Sequence, residues 1–105
     1  MFVAIYWWRL KPGKEDQFRE GWRRGTWAIM AKHGGLGSRL HRAPDGRMIA
    51  YAQWPDEQSW SRFYYNGTPS DPEGYAMMVD AILESGGEPM FKLDVLDDLL
   101  VKDAH

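Results

Sequence analysis

Residues 2 to 10, Phe-Val-Ala-Ile-Tyr-Trp-Trp-Arg-Leu, carry large apolar side chains at both alternating positions. β-branched and aromatic types suit a strand, and Lys11-Pro-Gly13 closes the run with a turn signal. Successive side chains of a strand point to opposite faces, so Phe2, Ala4, Tyr6 and Trp8 share one face while Val3, Ile5 and Trp7 share the other. A half-exposed strand alternates apolar with polar residues, and here no polar face exists before Arg9. The chain must fold into a sheet that is covered on both sides.

Helices account for one side. From 14 to about 32, Phe18, Trp22, Thr26 and Ile29 recur at helical spacing, with Glu15 and Asp16 in the first turn and Lys32, His33 and Gly34-Gly35 as stop signals. Segments 36–43 and 47–54 then predict two strands joined by Pro44-Asp-Gly46, a hairpin turn with Gly in the left-handed region. Pro55-Asp-Glu-Gln opens a short helix through about Tyr64 or Tyr65, ended by Asn66-Gly67. Ser70-Asp-Pro-Glu73 matches a capping box with Pro in the first turn, and predicts a further helix to about Glu84 on Tyr75, Met78, Val79 and Ile82. Gly86-Gly87 leads to a last strand over 90–95, where Phe91, Leu93 and Val95 alternate with Lys92 and Asp94.

The order βαββαβ, with both connections long enough for a crossover, is the ferredoxin-like plan: an α+β fold with an antiparallel four-stranded sheet, one domain over 1–105. Its helices lie on one face of the sheet. The odd-numbered face of the first strand then predicts a homodimer, since sheet-to-sheet pairing buries apolar area at roughly 25 cal/mol per Å² before the costs of association.

Composition narrows the function classes. The formal charge of −2 gives no field for nucleic acid, and Arg23 and Arg24 are offset by Glu15, Asp16 and Glu20. No stretch approaches the roughly 18 apolar residues of a membrane span, and the N-terminus lacks a basic n-region and a cleavage site, so it reads as mature structure. The absence of cysteine excludes disulfides, thiolate metal sites and cysteine nucleophiles, and suits the cytoplasm. Aromatics make 14% of the chain, more flat side chains than so small a core readily hides, so some are expected at an interface or a pocket.

Three segments carry a family resemblance: Leu10-Lys-Pro-Gly-Lys-Glu-Asp-Gln-Phe18, Gly34-Gly-Leu-Gly-Ser38 and Ala50-Tyr-Ala-Gln-Trp-Pro-Asp-Glu-Gln-Ser-Trp60. Together they resemble the antibiotic biosynthesis monooxygenase superfamily of dimeric α+β barrels. That resemblance implies two sheets paired into a barrel, with a pocket between sheet and helices in each protomer. It also implies a cofactor-independent monooxygenase acting on a small phenolic or polyketide-like aromatic. The haem-degrading branch of the superfamily fits poorly: Tyr6 stands where that branch has Asn, Phe63 where it has Trp, and 71–84 contains no His.

Among candidate site residues, His41 is the histidine within a predicted strand, with Arg39 two residues before it and so on the same side. A neutral imidazole there takes a phenolic proton and a guanidinium holds the oxyanion; the competing reading is a surface or interface pair. Tyr6, Trp8, Trp60, Phe63 and Tyr64 form the candidate substrate pocket, or else simply fill the core. His33 reads as a helix-end residue, and Gly34-Gly-Leu-Gly37 as a helix stop, since it follows a helix where a dinucleotide fingerprint follows a strand. No metal or other cofactor is suggested, because no two His share a helix face and Asp94, Asp97, Asp98 and Asp103 read as a solvated tail. The expected partners are a second copy and a small aromatic or apolar molecule. A non-catalytic dimer binding such a molecule is the alternative function.

Overall fold

A computed structural model describes residues 1–100; Asp103 and His105 lie outside the described residues. The elements run β1 (Phe2–Leu10), α1 (Glu15–His33), β2 (Gly37–Arg42), β3 (Met48–Trp54), α2 (Glu57–Tyr64), α3 (Pro72–Ala81), β4 (Ile82–Ser85) and β5 (Phe91–Asp94). β1 is central. It pairs antiparallel with β3 along 2–8, and β3 pairs antiparallel with β2 through the predicted hairpin, whose Gly46 has φ 88°.

The far edge of β1 departs from the expected four strands. β4 pairs with Trp8 to Leu10 and β5 with Phe2 to Ile5, so two short strands fill the fourth position one after the other. The break between them lies beside Trp7, where a Cβ on Gly86 would sit 2.6 Å from the indole nitrogen and push the ring aside. The helix expected to reach Glu84 ends at Ala81, because Ile82 takes extended backbone at φ −84°, ψ 127° and joins the edge of β1 opposite Leu10. Ladder pairing with the central strand overrides a helical pattern at its last turn. The predicted capping box does not form either: Asp71 makes no side-chain cap, and its carboxylate instead receives Arg24 Nε at 2.9 Å and Nη2 at 3.3 Å. α2 is capped as its sequence suggests, with Asp56 accepting from the Ser59 N–H at 2.7 Å.

All three helices cover the even-numbered face of β1. Phe2 and Ala4 pack with Trp54 and Trp60, and Tyr6, Phe63 and Tyr64 join that cluster. Phe18, Met48 and Ala81 form a second cluster with Trp8, Leu10 and Leu40. α1 and α3 touch through glycines, since a Cβ on Gly21 would lie 2.5 Å from the Gly74 carbonyl oxygen and 3.0 Å from Met77 Cβ. That contact explains why Tyr75 and Val79, on which the helix was predicted, are exposed at 56% and 50%: α3 turns Gly74 and Ala81 inward instead. Gly21→Ala is expected to lower stability by about 1–2 kcal/mol, overpacking of about 1–3 outweighing a helix-propensity gain of under about 1. Urea unfolding reads the change in midpoint; an unchanged or higher midpoint would show that the helices part without cost.

The odd-numbered face carries no helix. Ile5 lies in register between Tyr51 and Phe91, and Val3 between Gln53 and Leu93. Val3 is buried among its neighbours, while Phe91 and Leu93 remain exposed at 54% and 44%. Among the described residues no helix is long and apolar enough to cross a membrane.

Candidate functional site

The sheet and helices do not close completely on each other. Where β2 and β3 run beneath α1, the sheet presents Gly37, Ser38, Ala50 and Ala52, and these short side chains leave a cavity of about 600 Å³ between the layers. That volume lies in the range of small-molecule sites. Trp22, Ile29 and Met30 descend from α1, Phe63 and Tyr64 from α2, and segment 67–71 with Tyr75, Met78 and Val79 closes the α3 side. Gly35, at the end of α1, lies against the Trp54 ring, where a Cβ would make an ordinary contact at 3.5 Å.

The aromatic walls are ordered by mutual contacts. Trp54 stacks on Phe63 at 5.1 Å, and Phe63 meets His33 at 5.4 Å. Trp60, 2% exposed, lies behind the wall against Phe2 at 5.4 Å and Tyr64 at 4.9 Å. Its indole N–H donates to the Tyr6 hydroxyl oxygen at 2.7 Å, and Tyr6 stacks on Trp8 at 6.1 Å. Tyr64 O–H donates to the Gly87 carbonyl at 3.0 Å, joining α2 to the break between β4 and β5. Ser70 Oγ, in the rim segment, is buried without a hydrogen-bond partner.

Burial pushes the Tyr6 phenol up to about 12, against a smaller opposing effect of the Trp60 hydrogen bond and a small further rise from Tyr64. The folded state therefore holds the proton more tightly than the unfolded chain does. Stability contributed by this phenol is fully present below its ordinary value near 10 and is lost as pH rises through 12. The loss amounts to about 2–3 kcal/mol across that window. Urea midpoints of the native chain are expected to fall between about pH 9 and about pH 12 by more than those of Tyr6→Phe; parallel decline in both proteins would contradict the assignment.

Of the aromatics singled out in the sequence, Tyr6, Trp8, Phe63 and Tyr64 line the cavity, and Trp60 supports Tyr6 from behind. His41 and Arg39 are elsewhere. Leu40 points into the helix-side core, so its neighbours on β2 point to the open face, where they share a shallow depression with Tyr51, Met1 and the 95–100 segment. His41 Nδ1 lies 3.0 Å from the Ile49 carbonyl oxygen, and both side chains are exposed. The sheet stands between this pair and the cavity. Within one chain they do not form the expected base and oxyanion holder for the aromatic pocket. Among the cavity-lining residues described, Asp71 is the one carboxylate, and it is held by Arg24. No cluster of three or more His, Asp or Glu suited to a metal occurs among the described residues.

The lining residues that the sequence reading passed over are Trp54 and Trp22, Ile29 and Met30, with the small residues of β2 and β3. Their signal was the coincidence of Ser38, Ala50 and Ala52 on paired strands, which places three short side chains, with Gly37 beside them, on one patch of sheet.

The profile of the antibiotic biosynthesis monooxygenase family matches residues 1–64. The chain belongs to that family. The match runs from β1 through α2, so the cavity floor and its aromatic wall lie inside the antibiotic biosynthesis monooxygenase region, while α3, β4 and β5 follow it. No curated protein matches the chain. Solved structures extend the likeness to nearly the whole fold. SnoaB from Streptomyces nogalater, a cofactor-independent oxygenase, is similar with a TM-score of 0.68 at 14% identity, over 93% of this chain and 95% of its own. Rv0793 from Mycobacterium tuberculosis gives 0.66 at 14% identity, over 94% and 98%. A NIPSNAP domain protein from Burkholderia xenovorans gives 0.63 at 14% identity, over 91% and 95%. At such identities the structures share the fold of this antibiotic biosynthesis monooxygenase family member, an α+β arrangement with helices on one side of an antiparallel sheet.

Proposed function

We propose that this protein is a cofactor-independent monooxygenase of a small, electron-rich aromatic, and that the reaction takes place in the helix-side cavity. The observation that carries this reading is the cavity itself, about 600 Å³ with a small-residue floor and aromatic walls, in a chain whose family is that of the antibiotic biosynthesis monooxygenases. The fold shared with SnoaB, itself an oxygenase, supports it. The walls suit a planar ring system, and their apolar surface keeps water from a reactive intermediate. In the reaction proposed, a ring CH₂ flanked by phenolic rings becomes C=O. One atom of O₂ is retained, the other leaves as water with the two hydrogens of the methylene, and the substrate supplies all four electrons.

The active form proposed is a homodimer in which two copies bring their open sheet faces together. Exposed Phe91 and Leu93 beside Ile5 favour it, as do Leu96 and Leu99, each about nine-tenths exposed at 90% and 93%. His41 and Arg39 then lie at or near this interface. A second reading, a non-catalytic dimer that binds a small apolar ligand, is favoured by one observation: no imidazole or unpaired carboxylate lines the cavity among the described residues.

An oxygen electrode separates the readings. With anthrone-like phenols, uptake above a heat-killed control is expected, and His41→Ala should retain it within about twofold, since that side chain is outside the cavity. Stabilising ligands that are recovered unchanged, with no uptake, would favour the second reading. A large loss of turnover in His41→Ala without loss of the dimer would return that imidazole to the chemistry.

A further inference from the structure

The Tyr6 hydroxyl is placed to do more than fill a wall. A phenolic oxygen offers one donor and accepts in turn, and its hydrogen lies near the plane of the ring. Trp60 N–H occupies the accepting side at 2.7 Å, and Trp60 is itself fixed by burial against Phe2 and Tyr64. The Tyr6 hydrogen has no acceptor among the described residues, although the residue lines the cavity. Its acceptor capacity is thus committed to Trp60, and its donor capacity is left for whatever occupies the cavity.

We propose that Tyr6 is the specificity-determining residue of the cavity, donating its O–H to a carbonyl, quinone or phenolate oxygen on the bound aromatic. The inference rests on the reading of the cavity as an aromatic site and adds what the aromatic must carry. A ligand with an acceptor oxygen satisfies the donor, while a plain hydrocarbon leaves it unmet and a ligand presenting only a donor finds the lone pair already taken by Trp60. The raised phenol pKa keeps that proton in place at neutral pH. In an oxygenation that creates a ring carbonyl or passes through an enolate, the same donor would meet the oxygen on which negative charge collects.

The test uses two probes of similar shape, 1,4-naphthoquinone and naphthalene, titrated calorimetrically into the native chain and Tyr6→Phe. The absence of cysteine removes the thiol addition that would complicate the quinone. The substitution is expected to weaken quinone binding about tenfold and naphthalene binding by less than about twofold. The infrared carbonyl band of the quinone bound to the native chain should lie below its position in hexane, and this second measurement needs no variant. Equal quinone affinity in both proteins, or an unshifted band, would overturn the assignment while leaving the cavity reading intact. If neither probe binds the native chain, both fall together.

Discussion

Replacing Ile5 with Glu is expected to leave the chain folded but monomeric, raising the dissociation constant of the proposed dimer by more than about 100-fold. Ile5 occupies the centre of the open face, between Tyr51 on β3 and Phe91 on β5. In an isolated protomer it is only half buried, so a carboxylate there reaches water and costs little. In a face-to-face dimer the same carboxylate loses its water within a surface of the order of 1,200–2,000 Å², and the cation in its row, Arg39, stands one strand further, beyond Tyr51. Arg47 is engaged over the Trp7 ring at 5.4 Å and with Asp45 at 2.9 Å, further along the sheet. Sedimentation equilibrium measures the shift, and far-ultraviolet circular dichroism checks that the helices persist. A variant that sediments like the native protein would mean that this face is not an interface.

The second large effect concerns the cavity. Ala52→Phe should abolish most aromatic binding and reduce turnover by at least about tenfold, while changing stability by no more than about 1–3 kcal/mol. Ala52 pairs with Ala4 on one side and Ser38 on the other, and together with Gly37 and Ala50 it forms the floor. A benzyl group rising from that point fills space that the native sequence leaves empty, so it competes with the ligand more than with the core. The dimer should be unaffected because the substitution is on the helix side. Undiminished binding of an aromatic probe would place the ligand somewhere other than between sheet and helices.

Particular residues show how much of this was legible beforehand. β1, α1 and the hairpin at Pro44-Asp-Gly46 follow from local pattern, because turn chemistry and alternation act within a few residues. The boundary at Ile82 did not, for Tyr75, Met78, Val79 and Ile82 keep helical spacing to the end, and what stops the helix is the free edge of β1 more than 70 residues away in sequence. The broken fourth strand has a similar cause: Gly86-Gly87 announced an interruption, but its location beside Trp7 depends on the fold. Tyr6, Trp8, Phe63 and Tyr64 stand out in the sequence as pocket wall or core filling alike, whereas the floor does not stand out, since an absence of side chains gives no periodic signal. The placement of His41 was within reach. Leu40 is the apolar residue between Arg39 and His41, and alternation alone sends the two polar neighbours to the face opposite the helices.

In the proposed reaction the helix-side cavity directs molecular oxygen onto a bound aromatic. Mass spectrometry of the product after turnover of an anthrone-like phenol under ¹⁸O₂, with the native protein and with Ala52→Phe, follows the fate of the oxygen. One ¹⁸O atom retained in the product carbonyl is expected from the native protein, with the labelled product nearly absent when the cavity is filled. Product carrying oxygen from water alone, or labelled product formed equally well by both proteins, would contradict it.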